Sequence, residues 1–332
     1  MTKSDTQMMK GVAILLMLFL HLFNRIGNVE LCTTFLSIND MPLINWLTRA
    51  ASPVPFFLIL GGYGLYTVYQ KGDNHRFSRI FRLYSHYWLI LTIFLLIGHA
   101  LYPSRYPGNW MKILGNYSSF EITWNYEYWF LFPYVLLSIT SPWQFRFLNR
   151  YKGWKILVTA FVINFCTSYF ISRYGEAYLY NNALFSNFVL YFHLSFSFLT
   201  GAIAARDNWT EYLPMIKPTK WLWLLLLVLI ILCCIIRVSI IGTPYSFCFI
   251  VLFLKVPKWN WVKNVLIELG KNSMDMWFIH TWFCCYLFKD FIYSFKYPLI
   301  IFSVLLIISY VCAKLISLLF VGIDHLRINM SH

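Results

Sequence analysis

The feature of this sequence that most limits its possible folds is a series of long apolar runs that fill almost the whole chain. Apolar residues make up 59% of the 332 residues and charged residues 12%, whereas a soluble domain carries about 25% charged residues. A bilayer core about 30 Å thick takes roughly 20 apolar residues to cross as a helix. The sequence therefore predicts an all-α, polytopic integral membrane protein, with residues 1–332 as a single membrane-embedded domain.

About ten candidate spans can be drawn along the chain, with nine or eleven as alternatives. They lie near residues 8–26, 47–69, 83–102, 127–142, 154–172, 186–205, 221–237, 240–256, 264–288 and 297–320. If the N-terminus is cytoplasmic, 19 of the 27 lysines and arginines fall on the cytoplasmic side and eight on the other. Short cytoplasmic loops carry an excess of these residues. Both termini are therefore predicted to be cytoplasmic. This placement accounts for the net charge of +14 without a nucleic-acid partner.

The first span carries two ionisable residues, which are costly in a membrane and therefore candidates for function. Lys10 and His21 are 11 residues apart, which on a helix places them on one face with about 16 Å between them. We expect this face to line a polar path into the membrane. Catalysis and proton coupling are both compatible with these two residues alone.

A second candidate site is the most basic stretch of the sequence, residues 71–82. Arg76, Arg79 and Arg82 recur there at every third position, which forms a stripe at the entry of the third span. Guanidinium groups bind phosphates bidentately, so the stripe could hold a phosphorylated ligand. The alternative is a topology signal that contacts lipid headgroups.

Three further residues are candidates for chemistry. Glu127 follows an aromatic outer loop, which could seat a sugar or form an interfacial aromatic belt. Ser273 and His280 lie seven residues apart in the ninth span and therefore share a helix face. A hydrogen bond between helices is the alternative to a catalytic pair. The eight cysteines lie mostly in apolar runs and form no His/Cys cluster with zinc-ligand spacing, so no metal site is predicted.

Five stretches of the chain, taken together and in order, resemble the integral-membrane acyltransferase 3 family. They are residues 10–21, 55–63, 76–82, 128–134 and 272–280. Members of this family are bacterial enzymes that O-acylate, usually O-acetylate, cell-surface polysaccharides. The resemblance is strongest to the short members that have no appended extracellular domain.

The resemblance implies roles for individual residues. The family's first helix has a basic residue and, after ten intervening residues, an essential histidine, which correspond to Lys10 and His21. Many members have arginine at the first position, and lysine lacks its bidentate fork. The family's paired arginines and its late serine and histidine correspond to Arg79, Arg82, Ser273 and His280.

The resemblance also implies a reaction. An acyl group, most often acetyl, would move from cytoplasmic acyl-CoA to a hydroxyl of a polysaccharide or lipid-linked sugar, in the bacterial inner membrane. Acetyl-CoA would be a co-substrate, with no permanently bound cofactor, and membrane lipids would be the other partners. Residues implied in seating the phosphates of CoA are Lys10, Arg76, Arg79 and Arg82.

Within that reaction His21 would be the central catalytic residue, either as a base or as a transient acyl-histidine. Candidates to assist it are Ser273, His280 and Glu127. A secondary transporter or glycan flippase that uses His21 and Lys10 for proton coupling is the main alternative. A non-catalytic membrane scaffold is the third, and it gives the ionisable residues of the first span no role.

Overall fold

The computed structural model describes residues 1–330 except Asn74, Tyr180, Pro218, Arg237 and Val238, and it leaves out the side chains of Pro214, Ser239 and residues 321–330. Arg237, one of the cations counted for orientation, therefore lies outside the described residues. The all-α prediction is confirmed, since helices dominate the described chain. Ten of these helices have 14 residues or more, and each overlaps one of the ten predicted spans. They are α1 (Lys3–Phe23), α4 (Pro53–Gln70), α5 (Arg76–Leu101), α7 (Leu131–Arg150), α8 (Gly153–Tyr174), α9 (Ala183–Arg206), α10 (Trp221–Ile236), α11 (Gly242–Lys255), α12 (Asn260–Thr281) and α14 (Pro298–Met330).

Six helical stretches in the described chain are long and apolar enough to cross a membrane. They are Lys3–Phe23, Leu43–Gln70, Arg76–Leu101, Gly153–Leu179, Ala183–Arg206 and Pro298–Phe320. The apolar helices α10 and α11 are shorter, with 16 and 14 residues. These lengths fit a multi-pass membrane protein. The full count of ten crossings and the side on which the termini lie stay predictions.

Short elements occupy the loops between the long helices, and the sequence analysis missed them. They are α2 (Ile26–Val29), β1 (Ser37–Ile38), β2 (Met41–Pro42), α3 (Leu43–Leu47), α6 (Trp110–Ser118) and α13 (Lys289–Tyr293). The two strands form an antiparallel hairpin in which Ser37 pairs with Pro42.

The fourth span lies later in the chain than predicted. Residues 127–142 were expected to form it, but α7 begins at Leu131 and ends at Arg150. Residues 126–128 form a separate 3₁₀ turn, which Asn125 caps by accepting a hydrogen bond from the backbone N–H of Glu127 (3.2 Å). This difference takes Glu127 out of the long helix.

Helices α1 and α12 pack directly backbone to backbone. A Cβ at Gly270 would lie 1.8 Å from the carbonyl oxygen of Gln7, and one at Gly11 would lie 2.0 Å from that of Leu266. Small residues permit this approach in membrane helices. Ten residues further along both helices, at positions 21 and 280, the side chains are again neighbours. Because the same number of residues, in the same chain direction, leads from the first contact to the second on both helices, α1 and α12 are parallel.

Helix α5 runs in the same direction as this pair. The Nδ1 atom of His86 lies 2.8 Å from Oδ1 of Asp275, and further along both helices Phe94 stacks on Trp282 with ring centroids 5.3 Å apart. The first residues of α1, α5 and α12 therefore lie at one end of the bundle, and their last residues lie at the other.

Candidate active site

His21 lies in the last turn of α1, and side chains from distant parts of the chain hold that turn. Asn45 Nδ2 donates hydrogen bonds to the carbonyl oxygens of residues 23 and 24, at 2.6 and 3.1 Å. The hydroxyl of Tyr293 donates to the carbonyl of Leu22 at 2.7 Å. The last carbonyls of a helix have no partner within it. These bonds therefore satisfy the carbonyls at the helix end and fix the backbone that carries His21.

Glu127 is the carboxylate that faces His21. Its Oε2 lies 3.5 Å from His21 Nδ1, and its Oε1 lies 2.8 Å from Nη2 of Arg25. The side chains of His21 and Glu127 are both 11% exposed, whereas that of Arg25 is 60% exposed. Burial raises the pKa of Glu127 above its usual value, and the charge of Arg25 opposes this effect. A carboxylate in this position can orient the imidazole and stabilise a positive charge that develops on it.

His280 adds a second imidazole, whose ring centroid lies 5.2 Å from that of His21. It is fully buried, and its Nδ1 lies 3.1 and 2.9 Å from the carbonyl oxygens of Met276 and Trp277. Because both partners are acceptors, Nδ1 carries the proton of the neutral ring. The lone pair is then on Nε2, which has no hydrogen-bond partner among the described residues. A buried acceptor without a partner is uncommon and suits contact with a substrate donor.

The turn that carries Glu127 is anchored to α12. Asn125 is fully buried, and its Nδ2 donates to Thr281 Oγ1 at 2.7 Å. The next anchor is Tyr128, whose hydroxyl donates to the carbonyl of Phe278 and accepts from Trp282 Nε1. Glu127 and His280 are thus held by the same segment of α12, which fixes their relative positions.

Lys10 lies towards the opposite end of α1 from His21. Ile14 and Met17 lie between them on the same helix face, and these side chains are 0% and 3% exposed. The prediction that this face lines a polar path is therefore wrong for this structure, because buried apolar side chains close it. Lys10 itself is only partly buried and makes no hydrogen bond or ion pair within the described chain.

The three predicted phosphate-binding arginines lie in the first two turns of α5, at the same end of the bundle as Lys10. Arg79 Nη1 contacts Oδ2 of Asp73 at 3.1 Å, and Arg76 lies over the ring of Phe77, 5.0 Å from its centroid. Arg82 is exposed. The structure thus brings the arginine stripe and Lys10 to one end of the bundle and His21 to the other.

Ser273 is not brought to the histidines. Its buried Oγ donates to the carbonyl of Gly270 on its own helix at 2.9 Å. No hydrogen bond joins Ser273 to His280 in the described part of the chain, although both residues are on α12. Among those residues, no group of three or more His, Cys, Asp or Glu side chains is placed to hold a metal ion.

Sequence reasoning selected three of the residues that meet at this site: His21, Glu127 and His280. It missed Asn45 and Asn125, for which the sequence offers no signal, since an asparagine in a loop is ordinary. Arg25 was recognised as a charge at the end of the first span and counted on the outer side, but it was not named as a site residue. Its spacing of four residues from His21 puts both at one helix end, and this was the signal that could have found it.

The chain was compared with known families and proteins. The sequence profile of the acyltransferase 3 family, described as an acyltransferase domain, matches residues 6–321 of the 332. No curated protein and no solved structure matches the chain. The profile covers nearly the whole chain, including all the residues of the candidate active site. The chain therefore belongs to the acyltransferase 3 family.

Proposed function

We propose that this membrane acyltransferase transfers an acyl group, acetyl in the simplest case, from acyl-CoA to a hydroxyl of a surface polysaccharide or lipid-linked sugar. His21 is the general base in this proposal. The observation that carries it is the arrangement of Arg25, Glu127 and His21 in a chain of an acyltransferase family. An imidazole with a carboxylate behind it is a recurrent means of activating a hydroxyl for acyl transfer.

The reaction begins when Nε2 of His21 takes the proton of the acceptor hydroxyl. The hydroxyl oxygen attacks the thioester carbonyl carbon, and Glu127 beside Nδ1 stabilises the imidazolium that forms. The carbon–sulfur bond then breaks, the ester is complete, and CoA leaves as a thiolate that takes up the proton. A positioned base of this kind contributes typically about 10²–10⁴-fold in rate.

His280 has a different role in this proposal. Its Nδ1 proton is bound to two backbone carbonyls, so its free Nε2 is an acceptor and cannot donate to an oxyanion. We assign it to positioning, because Nε2 can accept a hydrogen bond from a second hydroxyl of the acceptor. Ser273 is an unsuitable oxyanion donor in this arrangement, because its hydroxyl proton is bound to its own helix.

The donor enters from the opposite end of the bundle. Acyl-CoA carries several negative charges, and Lys10, which has no ion-pair partner among the described residues, lies at the same end as the arginine stripe. This end is the predicted cytoplasmic side. Lys10 and His21 are separated by about 16 Å along α1, a distance that the pantetheine arm would cover. Since Ile14 and Met17 close this face, they must move aside to admit the thioester.

The proposal is tested with membranes that contain the protein, radiolabelled acetyl-CoA and the host's surface glycan. His21→Ala should abolish label transfer, and Glu127→Gln should lower the rate about 10²-fold or more, because the imidazolium loses its carboxylate. His99→Ala is the matched control, since His99 is exposed and its Nδ1 lies 2.9 Å from the carbonyl oxygen of Tyr106, away from the candidate site. Transfer by folded, inserted His21→Ala at the wild-type rate would refute the proposal.

Two further readouts separate the mechanism from its alternatives. Incubation with acetyl-CoA but no acceptor, followed by peptide mass spectrometry, should leave His21 unmodified. An acetyl group on His21 would show that it acts as a nucleophile rather than as a base. Glycan flux driven by a proton gradient, without label on the glycan, would indicate a transporter.

A further inference from the structure

A groove of about 420 Å³ lies between α7, α8 and α9, and none of the residues of the candidate active site lines it. Its walls are mainly apolar and include Phe147, Ile156, Ile163 and Leu199. Helix α8 is a peripheral helix of the described bundle, because only 17% of its spanning stretch is buried, against 61% for α9. The groove therefore opens on the side of the protein that faces lipid.

The two ends of the groove differ in chemistry. Lys155 lines one end together with Tyr151, and the neighbouring Trp154 is 61% exposed. Exposed tyrosine and tryptophan are typical of the membrane–water interface. At the other end Gln144 donates hydrogen bonds to the hydroxyls of Thr140 and Tyr191, at 2.7 and 3.2 Å. The groove thus begins at headgroup level and ends against a polar cluster inside the bilayer.

The depth of the groove suits a hydrocarbon chain. Along α8 its lining extends from Lys155 to Ile163, eight residues or about 12 Å of helix. The wall presents the apolar residues named above along this length. A fatty acyl chain is the membrane component with this shape and polarity.

The residues around the end of the groove that Lys155 lines are positively charged, which favours a lipid with an anionic headgroup. Residues 143–155 contain four cations and no carboxylate: Arg146, Arg150, Lys152 and Lys155. All four are exposed, and none forms an ion pair among the described residues. A zwitterionic lipid would leave this charge uncompensated, whereas an anionic headgroup would neutralise part of it.

We propose that this groove binds one acyl chain of an anionic phospholipid, whose phosphate lies against Lys152 and Lys155. The site is separate from the acyl-transfer site, so its occupancy does not depend on the proposed reaction. Bound lipid would fill the space between α7, α8 and α9 and hold α8 to the bundle.

The test uses the full-length protein in nanodiscs of equal parts phosphatidylglycerol and phosphatidylcholine, with retained lipid measured by native mass spectrometry. Wild-type protein should retain phosphatidylglycerol in preference to phosphatidylcholine. Lys155→Ala should reduce that preference about fivefold, the effect of removing one cation near an anionic surface. Lys112→Ala, which removes an exposed lysine of the outer loop, should leave it unchanged.

A second pair of variants tests the groove rather than the charge. Thr159→Trp places a bulky side chain in the groove lining and should abolish retention of the lipid, while Val162→Trp, at an exposed position on α8 outside the lining, should not. Thermal unfolding identifies any variant that fails to fold. Equal retention of both lipids by the wild type, or unchanged retention in folded Thr159→Trp, would overturn the proposal.

Discussion

Gly270→Ala is the perturbation whose effect can be worked most directly from the structure. The added Cβ would lie 1.8 Å from the carbonyl oxygen of Gln7, and ordinary van der Waals contact begins near 3.4 Å. The obstacle is backbone on both sides, so no side chain can rotate away. Helices α1 and α12 must therefore separate by about 1.6 Å, the difference between these two distances, at this point.

This separation should lower both stability and activity. Overpacking of a well-packed core costs about 1–3 kcal/mol of unfolding free energy. The same two helices carry His21 and His280, whose rings are only 5.2 Å apart. A misplacement of about 1 Å in a catalytic arrangement can cost about 10²-fold in rate. We therefore expect a loss of roughly that size in acetyl transfer.

Gly64→Ala is the matched control, because Gly64 also lies in a long helix and a Cβ there meets nothing within 4 Å. Both variants gain the same helix propensity, about 1 kcal/mol, so their difference reports the helix contact alone. The assays are thermal unfolding in detergent and acetyl transfer from radiolabelled acetyl-CoA. If Gly270→Ala matches Gly64→Ala in both assays, the packing of α1 on α12 described above is refuted.

Four further predictions concern the site and its support. Arg25→Ala removes the charge that opposes the raised pKa of Glu127, so this pKa should rise further. The acid limb of the pH–rate profile should then move to higher pH. An unmoved limb would contradict the pairing of Arg25 with Glu127. Asn45→Ala leaves two helix-end carbonyls unpaired and should cost about 1–3 kcal/mol of unfolding free energy, measured by chemical denaturation. Asp275→Ala leaves the buried Nδ1 of His86 without its partner and should cost about 1–3 kcal/mol of unfolding free energy, whereas Asp275→Asn, which keeps a hydrogen-bond acceptor, should cost less. Met17→Ala opens the closed face of α1 and should raise the rate at which acetyl-CoA is hydrolysed when no acceptor is present. The measurement is the release of free CoA.

The long helices could be predicted from the sequence because each depends mainly on its own residues. An apolar run of about 20 residues has few alternatives to a membrane helix. The short α6 was missed, because side chains from a distant part of the chain stabilise it. Tyr87 and Trp88 of α5, for example, donate hydrogen bonds to the carbonyls of Asn116 and Tyr117.

The candidate site was predictable only in part, for a related reason. An ionisable residue in a span, such as His21, stands out on solvation cost alone. Its contacts do not, because the one between Arg25 and Glu127, for example, joins positions 102 residues apart. Helix periodicity correctly placed Lys10 and His21 on one face, but it could not show that other helices cover the residues between them.

The closed face of α1 also restricts how a donor could reach His21. The backbones of α1 and α12 touch at Gly11 and Gly270, so at this point the interface has no side chain that could move aside. An opening beside Ile14 and Met17 would therefore have to form where α1 faces its other neighbours, among them α4. In the closed state, the same two side chains keep water from the path between the donor end and His21. In the proposed reaction, a thioester that displaces them would meet His21 with little water present, which would favour transfer to a sugar hydroxyl over hydrolysis.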